Sequence, residues 1–248
     1  MPTPRPLAAV ALSALALCAL TACGPDEAPK NAAAPATPSA SPSPSALADL
    51  SAAEIAEKSR TAGAELTGVT ITVDVPGYPG GAFHGTFSEN SGGDCHGTFT
   101  IAGQGSVEIV RVGDKAWEKP DAAYLKATAP GAPDGAVGKW FATGNTAKDK
   151  AYFCDLGVQL EKRVGLNTDS SPNQGLAKGG PVQVDGAAAL SLTMTDPEGS
   201  PARYDVATEG EPYLLAFDSD SGGMTVRLGD FDKPVQATAP AADQVFTP

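Results

Sequence analysis

Between residues 66 and 75 the chain alternates strictly. Val69, Ile71, Val73 and Val75 fall on one side, and Thr70, Thr72 and Asp74 on the other. A period of two marks a strand with one buried face. Residues 82–88 repeat the pattern with Phe83, Gly85 and Phe87, and residues 96–102 with Gly97, Phe99 and Ile101. The intervening Glu89-Asn90-Ser91-Gly92-Gly93-Asp94 reads as a hairpin loop. Segments 106–112 and 115–119 flank Gly113-Asp114, whose leading glycine suits a type II′ turn. Strand signals return at 182–184 and 188–195 around Asp185-Gly186, then at 202–208, 213–217 and 224–228.

Two regions break the alternation. Ser51-Ala52-Ala53-Glu54 matches a capping box, so a helix starts there and ends near Gly63, with Leu50, Ile55 and Ala62 on its apolar side. Residues 120–133 are rich in Pro and Gly and read as loop. Residues 146–163, with Ala147, Ala151, Phe153, Leu156, Val158 and Leu160, read as one or two short helices. Helix, strands, a helical insert and strands again define an α+β antiparallel architecture.

The N-terminus is of a different kind. Arg5 is the only charge before an apolar run from Leu7 to Leu20, followed by Leu20-Thr21-Ala22-Cys23. A basic start, a short apolar stretch and small residues before the cut describe a secretory signal peptide, and the run is too short for a membrane-spanning helix of about 20 residues. The Leu-Thr-Ala-Cys sequence resembles the lipobox of bacterial lipoproteins. That resemblance implies cleavage after residue 22, a diacylglyceryl group on Cys23 and anchoring to the outer face of the cell membrane. Two acyl chains suffice for stable anchoring. Residues 24–46 are mostly Ala, Pro and Ser and read as an extended spacer, which leaves 47–248 as a single domain.

Charge narrows the partners. The full chain carries 17 basic and 29 acidic residues, a net charge of −12. Cleavage removes Arg5 and no acid, so the mature form stands at −13. A nucleic-acid partner would need a basic patch, and anionic headgroups would repel this chain, so the acyl chains alone hold it to the membrane. Cys95 and Cys154 remain after acylation of Cys23. In an exported chain an even remainder reads as one disulfide, the alternative being two buried thiols.

Catalytic and metal motifs carry little weight. Ser219-Asp220-Ser221-Gly222-Gly223 resembles the nucleophile segment of trypsin-like proteases, yet only His84 and His96 are available as a base, and a turn between strands accounts for the segment. Asp218 and Asp220 begin like a calcium loop, but its twelfth position is Gly229 where an EF-hand needs Glu. Cys95 and His96 are adjacent and would project to opposite faces of a strand. No enzyme activity, cofactor or metal is expected. Trp117, Trp140 and Tyr124 read as core rather than as a ligand box.

The order of elements resembles the LolA-like fold of periplasmic lipoprotein carriers and actinobacterial lipoproteins of the LppX/LprG type. The resemblance rests on the hairpin around Val107 and Trp117, Gly138-Lys139-Trp140-Phe141 before a helical stretch, and Val184-Asp185-Gly186 opening the later sheet. The Arg203-Tyr204-Asp205-Val206 strand, with Glu211-Pro212-Tyr213 entering the next, completes it. It implies a strongly curved antiparallel half-barrel with a few helices against its concave face, enclosing an apolar cavity for a lipid or other hydrophobic ligand. Val69, Ile71, Val73, Phe83, Phe87, Phe99 and Ile101 are the expected lining, and Gly85 and Gly97 hint at open space beside them. The protein is then a monomeric, membrane-tethered binder of hydrophobic ligands. The rival expectation is a closed core, acting through protein–protein contact or sensing.

Overall fold

The computed structural model describes residues 47–143, 154, 175–195, 199–220 and 223–247. The signal segment, Cys23, the spacer and most of the expected insert helices at 146–163 lie outside these residues.

Helix α1, Ala52–Ala64, opens on the expected capping box: Ser51 Oγ accepts from Glu54 N, and Ser51 N donates to Glu54 Oε2 at 2.8 Å. Its buried side, Ile55, Ala56, Ser59 and Ala62, faces the sheet core. Five strands follow as a meander: β1 Gly68–Val75, β2 Phe83–Asn90, β3 Cys95–Ile101, β4 Gly105–Val112 and β5 Lys115–Pro120. Gly113 has φ 58°, as the first turn position of a type II′ hairpin requires.

Residues 120–133 are not all loop. Helix α2, Ala122–Thr128, occupies them, capped by Asp121, whose carboxylate accepts from Tyr124 N at 2.7 Å. The same carboxylate accepts from Ser106 N and Ser106 Oγ, both at 2.9 Å, and so fixes the helix to the start of β4. Strand β6, Phe141–Thr143, pairs with β5 at one edge.

The second meander comprises β7 Ala177–Val184, β8 Ala187–Thr195, β9 Pro201–Ala207, β10 Leu214–Ser219 and β11 Met224–Gly229. Strand β11 returns to pair with β1, Thr70 opposite Gly229 and Val73 opposite Val226. One open, curved antiparallel sheet results, in the order β6-β5-β4-β3-β2-β1-β11-β10-β9-β8-β7. Register shifts at Leu214/Ala216 and Lys178/Pro181 interrupt its second half, and such bulges add local bend and twist.

The two faces differ as the alternation predicts. Inner side chains of the strands form one core with Leu47 and with Ile55 and Ala56 of α1 and Tyr124 of α2. The outer face carries hydroxyl and ion pairs: Thr70 with Ser88 (2.9 Å), Asp74 with His84 (2.6 Å) and Glu108 with Lys119 (2.6 Å).

The C-terminal segment is tied down at both ends. Asp232 accepts from Thr67 N (2.8 Å), Thr67 Oγ1 (2.9 Å) and Tyr213 OH (3.0 Å). Residues 233–236 then pass over Thr70, Ser88 and His96, leaving a groove of about 230 Å³ beneath. Val245 finally forms a parallel bridge with Trp140, and the rings of Phe246 and Phe141 lie 5.2 Å apart. This covers the approach to the β6 edge, which would otherwise offer unpaired backbone groups to another chain.

Candidate functional site

All seven expected lining residues point to the inner face and are buried within one cluster. Their register explains the alignment. Ile71 pairs with Phe87 and Phe87 with Gly97, while Val73 pairs with Gly85 and Gly85 with Phe99. The Phe83 and Phe99 rings stack at 5.5 Å, and Tyr124 meets Phe99 edge-on at 5.9 Å. Tyr124 is therefore core, and Lys119 Nζ sits 4.7 Å from the ring centre of buried Trp140.

The two glycines do not leave open space. A Cβ at Gly85 would lie 2.6 Å from Phe87 Cε2, and one at Gly97 would overlap Phe87 Cδ1 and lie 2.6 Å from Thr86 O. The Phe87 ring itself fills the room the glycines provide. Close aromatic approach, rather than an opening, is why β2 and β3 carry Gly at these positions.

Space is found elsewhere. At the β7 edge a recess of about 600 Å³ is lined by Ala48, Pro181, Val182, Gln183, Ala188, Ala189, Leu190 and Thr208. That volume lies within the range of small-molecule sites. None of the seven sequence-derived residues lines it. Leu190 links it to the inner core, whereas Val182 and Ala189 belong to a second small cluster with Val184, Ala207, Leu215 and Ala216. Small side chains at Ala188 and Ala189 and the register shift before Pro181 open the flank. One signal could have found it, the run Gly179-Gly180-Pro181, which no regular central strand would carry. Ala48 contributes to one side of the recess, and Lys178 Nζ holds this segment by donating to Ala48 O at 2.7 Å and to Leu50 O at 2.9 Å.

Cys95 and Cys154 are joined, with Cα atoms 5.5 Å apart. Arg111, across from Cys95 on β4, donates through Nη2 to Cys154 O at 2.8 Å and through Nε to Gly93 O. Buried Glu89 shares this polar end of the inner face. On the outer face, Asp218 accepts from both Arg203 and Arg227. Its carboxylate is thus committed to structure, and buried Ser219 sits within the ladder opposite Ala202 and Met224. Among the described residues no group of three or more His, Cys, Asp or Glu side chains is arranged to hold a metal ion.

An open curved antiparallel sheet with helices on its inner side is an LppX-like fold. Solved structures bear this out. The chain is similar to LprF from Mycobacterium bovis, with a TM-score of 0.52 at 16% identity over 82% of this chain and 100% of that one. It is likewise similar to the Mycobacterium tuberculosis lipoprotein LppX, with a TM-score of 0.51 at 18% identity over 75% and 98% of the respective chains. At such identity the likeness is one of fold. No protein-family model matches the chain, and no curated protein matches it.

Proposed function

We propose that the protein is an exported lipoprotein, anchored through acylated Cys23 and spaced from the membrane by residues 24–46, that binds a hydrophobic ligand rather than catalysing a reaction. The observation carrying this reading is the apolar recess beside Ala48 and Leu190, on a fold shared with mycobacterial lipoproteins. Burial of an acyl chain contributes about 0.8 kcal/mol per CH₂, so eight or nine such groups approach micromolar affinity before the costs of ordering are subtracted.

The test is displacement of a fluorescent fatty acid from the mature protein. Saturable binding is expected, and Ala188→Phe, at a partly exposed position lining the recess, is expected to weaken it at least tenfold with the fold retained by circular dichroism. Absence of saturable binding to the wild type would overturn the reading. A second reading, a closed-core lipoprotein acting on a protein partner, is favoured by the Phe87 ring, which occupies the space over β2 and β3.

A further inference from the structure

Resting on the recess reading above, we infer that the ligand is an amphiphile with an anionic head, a carboxylate or phosphate, and that Lys178 Nζ is its charge partner. Lys178 lies opposite Leu192, whose side chain is in the inner core, and Pro181 lies opposite Leu190 in the recess wall. Lys178 thus belongs to the same flank of the sheet as the recess. Its ammonium bonds two carbonyls, one of them that of Ala48, which lines the recess.

Lys178 is exposed, and among the described residues its charge has no carboxylate partner. An ammonium has three donors and two are used here, both on neutral main-chain oxygens. Asp49, between the two carbonyls, is exposed and makes no bond to it. Lys119 and Lys233, by contrast, each hold a carboxylate, Glu108 and Asp230. A cation with one donor left over, at the rim of an apolar recess, complements a ligand whose chain is apolar and whose head is negative. The molecule as a whole is strongly acidic. Long-range attraction therefore cannot select such a ligand, and beyond a screening length of about 8 Å it matters little. Discrimination has to come from the short bond to Nζ.

The experiment compares amphiphiles of equal chain length by displacement from the full mature protein: palmitate, palmitoyl lysophosphatidylglycerol and neutral hexadecanol. Wild type is expected to bind one or both anions about tenfold more tightly than the alcohol, the scale of a charge-assisted bond. Whichever anion binds better identifies the head as carboxylate or phosphate. Lys178→Met should reduce the preference to under about twofold and Lys178→Arg should keep it. Because Lys178 also braces segment 47–50, the Arg variant and the wild-type comparison decide the matter if the Met variant fails to fold. Equal affinity of wild type for anions and alcohol would overturn the head-group assignment and leave the recess reading intact. Failure of all three to bind would overturn the recess reading itself.

Discussion

Phe87 and Gly97 share one space, and that sharing leaves no room for a side chain at position 97. Gly97→Ala is expected to destabilise the domain by about 1–3 kcal/mol, the usual effect of overpacking, because the added Cβ meets both the Phe87 ring and Thr86 O. Gly131→Ala, with no atom near the added Cβ, is the control, and urea denaturation distinguishes them. The glycine positions were plain in the sequence, but their meaning was not, because alternation tells which side a residue faces and nothing of what the next side chain fills. Asp232 supports a prediction about pH. Hydrogen bonds from Thr67 N, Thr67 Oγ1 and Tyr213 hold its carboxyl below the ordinary range. Tyr213 is pushed up to about 12, first by burial and then by its bond to Asp232. Unfolded Asp titrates near 3.9 and Tyr near 10. The Asp232 contribution is thus present above about pH 4 and lost as pH falls through the lowered value. That of Tyr213 is present below about pH 10 and lost as pH rises towards 12. In Asp232→Asn the acid-side loss should shrink and Tyr213 should ionise at a lower pH, read from absorbance at 295 nm.

Most elements were legible because their apolar periods are clean. Helix α1 announced itself through its capping box, and the strand pattern located the described strands to within a few residues, except β6 and the first half of β7. Helix α2 was hidden by the prolines and glycines around it. Seven residues are too few for a helical period to stand out, and Asp121 as a cap gains meaning only once Ser106 is known to lie beside it. The end of the chain was equally silent. Nothing local predicts that residues 230–247 cross the polar face of another strand set and reach Trp140. Deleting residues 243–248 is expected to remove the Val245 bridge, the Phe246–Phe141 contact and the bond from Lys139 Nζ to Asp243 O. Stability should drop by about 2 kcal/mol, the scale of two or three hydrogen bonds and an aromatic pair. Tryptophan emission should shift to the red as Trp140 becomes wetter. An unchanged emission maximum would show that the segment does not cover it.

For the molecule as a whole, the proposed anchor and the charge lead to one prediction. Cys23→Ser should move the protein from the membrane fraction to the soluble one and abolish labelling by a fatty-acid analogue. Wild type should stay with membranes in 1 M salt, because a chain of this acidity gains nothing from anionic headgroups. Release by salt, or label retained in the serine variant, would contradict it. The fold class was readable from element order, but the recess was not, since it lies between segments 47–50, 181–190 and 208 that only the completed sheet brings together. That sheet has one seam whose partners lie at opposite ends of the domain, β1 against β11. A chain emerging N-terminus first presents β1 to β6 first, and hairpin pairing can proceed there at once. Until β11 arrives, however, β1 offers a row of unmatched backbone groups beside Val69, Ile71 and Val73, and distant pairings of this kind form late. A premature stop anywhere before Met224 would leave that row permanently open. Such a fragment should build most of the first meander and then stick to others of its kind, so protein quality control would meet an aggregating species and not a merely inactive one.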